Sequence, residues 1–523
     1  VGSILSIFLA LGVLVLREYG VESGFVAGWA VLPLALVCYA PAWLARAAFV
    51  RGRFAAGERW QRLLGVAPAL AFAAAVCGCG WVRALEGWLG HPLSFFDWPD
   101  LDALLCFGPF VFYELVAIDA RARLASASGP RRARLRAFQA RMFLATLLPL
   151  AAYVSISAAI GTSPRLRVGV EEIGVWHAAY AAALLALLVL TLPFLLAWAL
   201  DTAHLPAGPL RALFREVAQA AGFRARAILV WNTGGNLANA AIIGLGARTR
   251  IVLFSDVLLA QLGARELAAV YAHEIAHARK NHVPIFVAWV LGFFLGGDLL
   301  AHALFPQNEW LAGAVLLVSM GAWFVLFGWL SRRYELEADL YAIALLDDTG
   351  AMISALEGVG GALRDLASWR HFSTARRVEF LGRCEREPEL ARRFLARLRR
   401  WSLAGVLLFL VAAGFEGARL AQDYGTDRVR AHLRLGEYAA AGARAATLPA
   451  LRPDLRALVR RADSIGHDGP EVDEFEALAQ AALARDDAQA ALEYLQLGAL
   501  RGHAQLGEQA RLLAARLASR PPQ

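Results

Sequence analysis

Long apolar runs broken by short polar stretches fill the first 200 positions, return between 284 and 330, and come back once more at 401–418. A helix crossing the hydrocarbon core of a bilayer needs about 20 such residues. The runs at 2–16, 25–45, 64–83, 101–118, 142–162, 176–200, 284–305, 310–330 and 401–418 are therefore expected to be about nine membrane spans. The clearest is 176–200. The first is short, and a signal peptide is its rival reading; no small-residue cleavage site follows it, which favours a span. The chain opens on Val1, so its true start is left open.

From 201 to 283 the periodicity changes. An amphipathic helix from Leu210 should stop at Gly222. Strands are expected at 227–231, 236–243 and 250–254, with Ser255 or Asp256 capping the helix that follows. This is a small α+β unit. After 419 the pattern is helical and no longer membrane-like. The stretches beginning at Leu435 and Arg485 have the small-residue and aromatic spacing of helical repeats. Their separation of roughly 50 departs from the ~34 of tetratricopeptide repeats. A plain helical bundle stays open, and either could present a concave surface to a peptide or partner.

Composition sharpens this picture. The 523 residues are 58% hydrophobic and 18% charged, against about 45–50% and 25% in soluble domains. That excludes an ordinary soluble enzyme, and also disorder, which needs low hydrophobicity. The net charge of +8 is carried almost wholly by arginine, with Lys280 the sole lysine. It is spread over loops, which speaks for membrane topology and not for a nucleic-acid partner. Arg46, Arg51, Arg53, Arg59 and Arg62 follow the second run. Arg121, Arg123, Arg131, Arg132, Arg134, Arg136 and Arg141 follow the fourth. Glu86, Asp97, Asp100 and Asp102 lie between. Arginine-rich loops stay cytoplasmic, so 201–283 and 332–400 are expected inside and 419–523 outside. Glu114, Asp298 and His302 sit within apolar runs, either lining a polar cavity or making helix–helix hydrogen bonds. The five cysteines, four of them in apolar stretches, suit neither a zinc ribbon nor a disulfide framework.

The chemistry-bearing motif is His273-Glu274-Ile-Ala-His277, H-E-x-x-H on a predicted helix. Residues four apart share a face, so both imidazoles can hold one metal ion, with Glu274 beside it as a base for metal-activated water. A zinc site needs a third protein ligand. Glu335 and Asp339 are four apart on a later predicted helix, and a membrane hairpin returns that helix to the same side. Glu335 would complete a His2Glu site, with Asp339 holding a histidine N–H. Glu337 is the alternative ligand, although it falls on a different face from Asp339. Asp339 could instead merely pair with Arg332.

These residues resemble the membrane zinc metallopeptidases that include the CAAX prenyl endopeptidases and the HtpX heat-shock proteases. That family joins H-E-x-x-H-x-x-x-x-H to a later S-R-x-x-E-x-x-A-D. This chain has His273, Glu274, His277 and His282, then Ser331, Arg332, Glu335, Ala338 and Asp339. The resemblance implies one zinc ion on His273, His277 and Glu335, with Glu274 as catalytic base and His282 as an additional, non-ligating histidine. It also implies that the backbone around Asn239 and Ala240 pairs with substrate as an added strand. His371 and Arg377 match a family motif whose side chains lie near the zinc, where they could stabilise an oxyanion; Arg377 could equally be a structural ion-pair residue. Phe372 stands where the family has proline, and Ala276 where glycine is common. The likeness covers about 175–400.

The expected architecture is a mostly α, polytopic membrane protein with a small α+β zincin-like catalytic domain and a C-terminal helical-repeat domain. Its parts are a transmembrane region at 1–200, catalytic segments at 201–283 and 332–400 flanking a hairpin at 284–331, a last span at 401–418, and a tetratricopeptide-like domain at 419–523. The expected activity is zinc-dependent hydrolysis of peptide bonds in membrane-associated or misfolded proteins, in a bacterial inner membrane with the zinc site facing the cytoplasm. The expected partners are a peptide or protein substrate, the bilayer, and a protein at the C-terminal helices. The alternative is a protease-derived scaffold that binds partners through those helices. The intact Glu274 argues against it, since a scaffold has no need of the base.

Overall fold

A computed structural model describes residues 2–18, 20, 27–95, 98–125, 129–233, 237–305, 308–361, 364–366, 369 and 371–518. Asp97 and Asn236, which entered the expectations above, lie outside the described residues. Among the described residues, six helices are long and apolar enough to cross a membrane: Gly28–Val50, Arg131–Gly161, Gly174–Ala199, His282–Leu304, Trp310–Leu346 and Pro388–Leu435. A pair bent by 48°, Phe54–Leu63 with Ala67–Gly78, would make a seventh. The chain is thus a mostly α, multi-pass membrane protein. The apolar runs at 2–16 and 101–118 form shorter elements. The first is a helix of 17 residues, Gly2–Glu18. The second is split into Ala103–Cys106 and Gly108–Ala125 ahead of Pro109, a residue favoured in the first turn of a helix. Glu114 pairs with Arg121 at 2.5 Å. Asp298 lies 3.4 Å from His302 and 3.9 Å from Arg419. These intramembrane polar groups therefore serve ion pairs within and between helices.

The α+β unit follows the expected plan with one addition. Strands β1 (Thr202–His204), β2 (Ala227–Trp231), β3 (Ala240–Ile243) and β4 (Ile251–Ser255) form one sheet in the order β1-β2-β4-β3. β2 and β4 are parallel, and the outer pairs are antiparallel. Helix α1 (Pro209–Ala220) starts on a proline at its first turn and ends before Gly222, whose φ is +57°. Ser255 caps the next helical turn by accepting from the Leu258 N–H at 3.2 Å.

Helix α2 (Ala264–Arg279) carries the H-E-x-x-H motif. It is seated on the sheet by rings: Phe214 of α1 lies 4.8 Å from Phe254 of β4 and 4.6 Å from Tyr271 of α2. All three are fully buried, each contributing about 2 kcal/mol of apolar burial. Asn281, at φ +56°, turns the chain from α2 into α3 (His282–Leu304). Next come α4 (Glu309–Leu346), α5 (Thr349–Gly360), α6 (Thr374–Arg386) and α7 (Pro388–Leu435). The boundaries expected near 331, 400 and 418 fall inside α4 and α7, which run on without a break. Each of these two helices both crosses the apolar layer and projects beyond it. Five further helices, from Tyr438–Ala446 to Ala504–Ala518, pack around Leu433, Leu455, Phe475 and Leu497. This C-terminal group is tied to the helix Pro164–Glu172 by Arg434 on Glu171 and Glu172 and by Arg165 on Glu437.

Candidate active site

His273 and His277 project from one face of α2 with their Nε2 atoms 3.3 Å apart. From α4, the Glu335 carboxylate reaches the same point: 3.6 Å from His273 Nε2 and 3.7 Å from His277 Nε2. Tetrahedral zinc with bonds of about 2.0–2.2 Å demands ligand–ligand edges of about 3.3–3.6 Å. The three donors therefore fit one such ion. The electrostatics fit it as well. Burial works against a charged His273 ring, yet its hydrogen bonds to Asp339 and Glu335 outweigh it and hold its pKa up at about 10. The two carboxylates that raise it would attract a metal cation at the same place, whereas burial and the charge on His273 push the His277 ring down to about 3, leaving it neutral and able to ligate. Glu274, one position on from His273, lies beside this point and is 9% exposed. Burial pushes its pKa up to about 7, partly offset by the neighbouring His273 and by the Ile242 backbone N–H that donates to it.

Each histidine has an outer partner. Asp339, fully buried, accepts from His273 Nδ1–H at 2.8 Å. The Arg377 guanidinium holds Asp339 with two hydrogen bonds of 2.9 and 2.6 Å. Asp339 thus pairs with Arg377 and not with Arg332. His277 Nδ1 faces His282 Nδ1 at 2.9 Å, and His282 Nε2 faces Glu337 at 3.2 Å. If His277 is to offer Nε2 to a metal, its Nδ1–H must donate to His282, whose Nε2–H then donates to Glu337. Glu337 is therefore outside the ligand group and serves as acceptor for the His282 ring, which stacks on Tyr334 at 4.2 Å. His371 approaches from the segment before α6, its Nδ1 3.3 Å from Glu335, and is half exposed at the rim. Phe372, the departure from the resembled motif, lies under two guanidinium groups, Arg332 at 5.7 Å and Arg376 at 4.5 Å.

Residues 204–385 match the sequence profile of peptidase family M48. Curated relatives include a protease HtpX homolog of Prosthecochloris aestuarii, 27% identical over 183 residues, covering 32% of this chain and 58% of that one. Another is a protease HtpX homolog of Bordetella pertussis, 26% identical over 186 residues, covering 32% and 57%. The chain spans a little over half the length of these relatives. Among solved structures, S. mikatae Ste24p matches with a TM-score of 0.35 and 16% identity over 66% of this chain and 98% of that one. The segment 204–385 belongs to peptidase family M48.

A cavity of about 760 Å³ opens on the candidate metal point of the M48 domain. Its walls include Asn239 and Ala240 of the sheet edge, Phe286 and Val290 of α3, Phe327 of α4 and Leu356 of α5. β3 is the outer strand on this side, and its register decides which groups face the cavity. Asn239 is turned inward: its N–H donates to Ser255 Oγ, and its C=O accepts from the Ser255 N–H, both at 2.9 Å. Since an antiparallel ladder alternates, Ala240 and Ile242 present their backbone groups outward. Of the two positions expected to pair with substrate, Ala240 is so oriented. Asn239 contributes only cavity lining, because β4 occupies its backbone. The parts not anticipated were the outward Ile242 amide beside Glu274 and the position of Glu337 behind His282. The second depends on how α4 crosses the start of α3, which helical spacing does not encode.

Proposed function

We propose that the M48 domain is the catalytic unit of a membrane zinc endopeptidase. The carrying observation is the near-tetrahedral spacing of His273, His277 and Glu335 with the buried carboxylate of Glu274 beside them. In this reading those three residues hold one zinc ion per chain, and the ion when bound supplies Lewis-acid polarisation of water and of the scissile carbonyl. Glu274 takes the proton from the attacking water and passes it to the leaving amine. Asp339, braced by Arg377, keeps His273 in the tautomer that offers Nε2. His282 and Glu337 do the same for His277. His371 stands at the rim, where an N–H can meet the developing oxyanion. Arg377, bonded to Asp339 and 3.5 Å from Glu335, acts through orientation of both carboxylates. An extended substrate adds to β3 through the outward groups of Ala240 and the outward carbonyl of Ile242, whose N–H is given to Glu274.

The arginine-rich loops support a cytoplasmic site, and the alanine- and arginine-rich composition supports a bacterial inner membrane. Membrane-associated or misfolded proteins are the substrate class this placement favours. The testing experiment is Glu274→Gln. The variant should purify with about one zinc per chain, because Glu274 is not a ligand, and should fail to cleave an unfolded membrane protein that the wild type cleaves. Wild-type protein with under about half an equivalent of zinc and no cleavage would sink the reading and leave the scaffold.

A further inference from the structure

A second cavity, of about 540 Å³, opens where the end of α2, the start of α3, α4 and α7 meet. Its size is within the roughly 300–1,000 Å³ of ligand sites. Arg279 and Lys280 from the end of α2 and Arg399 from α7 line it together. Among the described residues none of the three is in an ion pair. Lys280 only overlies the Tyr341 ring, at 5.6 Å. One carboxylate, Glu337, shares the wall, and it is already held by His282 at 3.2 Å. Ser402 of α7 also lines it, with its hydroxyl 2.9 Å from that of Tyr334; the remaining wall is apolar and includes Ile285 of α3 with Leu403 and Val406 of α7.

The level of the cavity is fixed by its helices. The apolar run of α3 begins at Val283 and that of α7 at Leu403, so the cations stand at the membrane edge and the apolar wall descends from them. We propose that this cavity holds the phosphate headgroup of an anionic phospholipid, with the first carbons of its acyl chains along Ile285, Leu403 and Val406. A free phosphate shares the headgroup's chemistry but makes no use of the apolar wall. Arginines elsewhere at the membrane edge follow from topology alone; here three unpaired cations converge on one cavity. Each cation near the surface is worth about a fivefold gain in binding an anionic lipid, so three give about a hundredfold. The inference rests on the membrane placement of α3 and α7 and is independent of the peptidase reading.

The test is native mass spectrometry of the full chain released from detergent micelles doped with phosphatidylglycerol or phosphatidylcholine. Wild type should retain one phosphatidylglycerol in preference to phosphatidylcholine, and millimolar inorganic phosphate should not displace it. Arg279→Gln/Lys280→Gln/Arg399→Gln should weaken retention about a hundredfold. The charge-conserving Lys280→Arg/Arg399→Lys should keep it, as should Arg51→Gln/Arg53→Gln/Arg59→Gln, which removes the same charge at another loop. If the triple variant fails to fold, Lys280→Gln is read instead, with a loss of about fivefold. Equal retention by wild type and the cavity variant, no preference for the anionic lipid, an equal loss in the distant-loop variant, or displacement by inorganic phosphate would each overturn the proposal.

Discussion

His273 and His277 present the same nitrogen to a common point but lean on unlike supports, one a carboxylate clamped by arginine and the other a second imidazole backed by Glu337. That difference separates the two candidates for the third ligand. Glu335→Ala should lose zinc outright, since two histidines leave the site short of the three ligands zinc needs. Glu337→Gln should keep one zinc per chain but bind it about 10–100-fold more weakly, the usual effect of disturbing a ligand's outer partner. Competition against a chromogenic chelator reads both constants; full zinc in Glu335→Ala would reverse the assignment. At this scale the sequence was informative wherever helical spacing alone sets the geometry. Residues 273 and 277, and 335 and 339, must share faces, and they do. It was silent where the answer depends on tertiary approach. Arg377 could be read as an oxyanion group or as an ion-pair residue, and spacing does not show that it bonds twice to Asp339 while lying 3.5 Å from Glu335. His371 and Phe372 lie close in sequence to Trp369, whose stacking on Phe324 at 4.1 Å is a tertiary contact that spacing does not encode.

Elements carry two further consequences. An edge strand binds a peptide through alternate backbone groups, so the outward orientation of Ala240 and Ile242 specifies where hydrogen bonds to substrate can form. A cleaved peptide N-methylated at successive positions should lose about two- to tenfold in kcat/KM at alternate positions, one hydrogen bond each, with neighbours little affected. A flat response across the scan would remove β3 as the docking strand. The other consequence concerns α3 and α7. A Cβ at Gly405 would land on the Trp289 indole, and one at Gly292 would meet Leu408 and the Phe409 backbone at 3.0 Å. Gly405→Ala should therefore cost about 1–3 kcal/mol by overpacking, seen as a lower melting temperature in detergent. Trp289→Ala in the same chain should return part of the loss. A Gly405→Ala protein as stable as wild type would mean that the helices separate freely here. The strands at 227–231 and 250–254 could be read from their apolar runs. β1, three residues long, has no run to read. The uninterrupted α4 and α7 were hidden because hydropathy changes at 331, 400 and 418 while helix propensity does not.

On the scale of the whole molecule, α7 sets the distance between the candidate site and the C-terminal helices. Its 48 residues make about 72 Å of helix, more than twice the ~30 Å of a hydrocarbon core. Near its start, Ser402 meets Tyr334 of α4 at 2.9 Å, close behind the metal point. Beyond its apolar stretch, Asp427 accepts from the Gly174 N–H at 3.1 Å, and Arg434 holds Glu172. The helix Pro164–Glu172 and the C-terminal group are thus joined at one end of α7, and the M48 domain packs at the other. The alternating arginine loops then predict a direction, with the site inside and the C-terminal helices outside. This can be read by labelling in a background with the five native cysteines replaced. Ser464 and Gln261 are both exposed, the first in the C-terminal group and the second in the M48 domain. In intact cells a membrane-impermeant maleimide should label Ser464→Cys, and should reach Gln261→Cys only after permeabilisation. The reverse pattern would turn the molecule over and place the site outside. Protection of both would mean that α7 does not cross. The C-terminal helices would then share the cytoplasmic side with the site and could hand substrate to it directly, which the length and apolar stretch of α7 argue against.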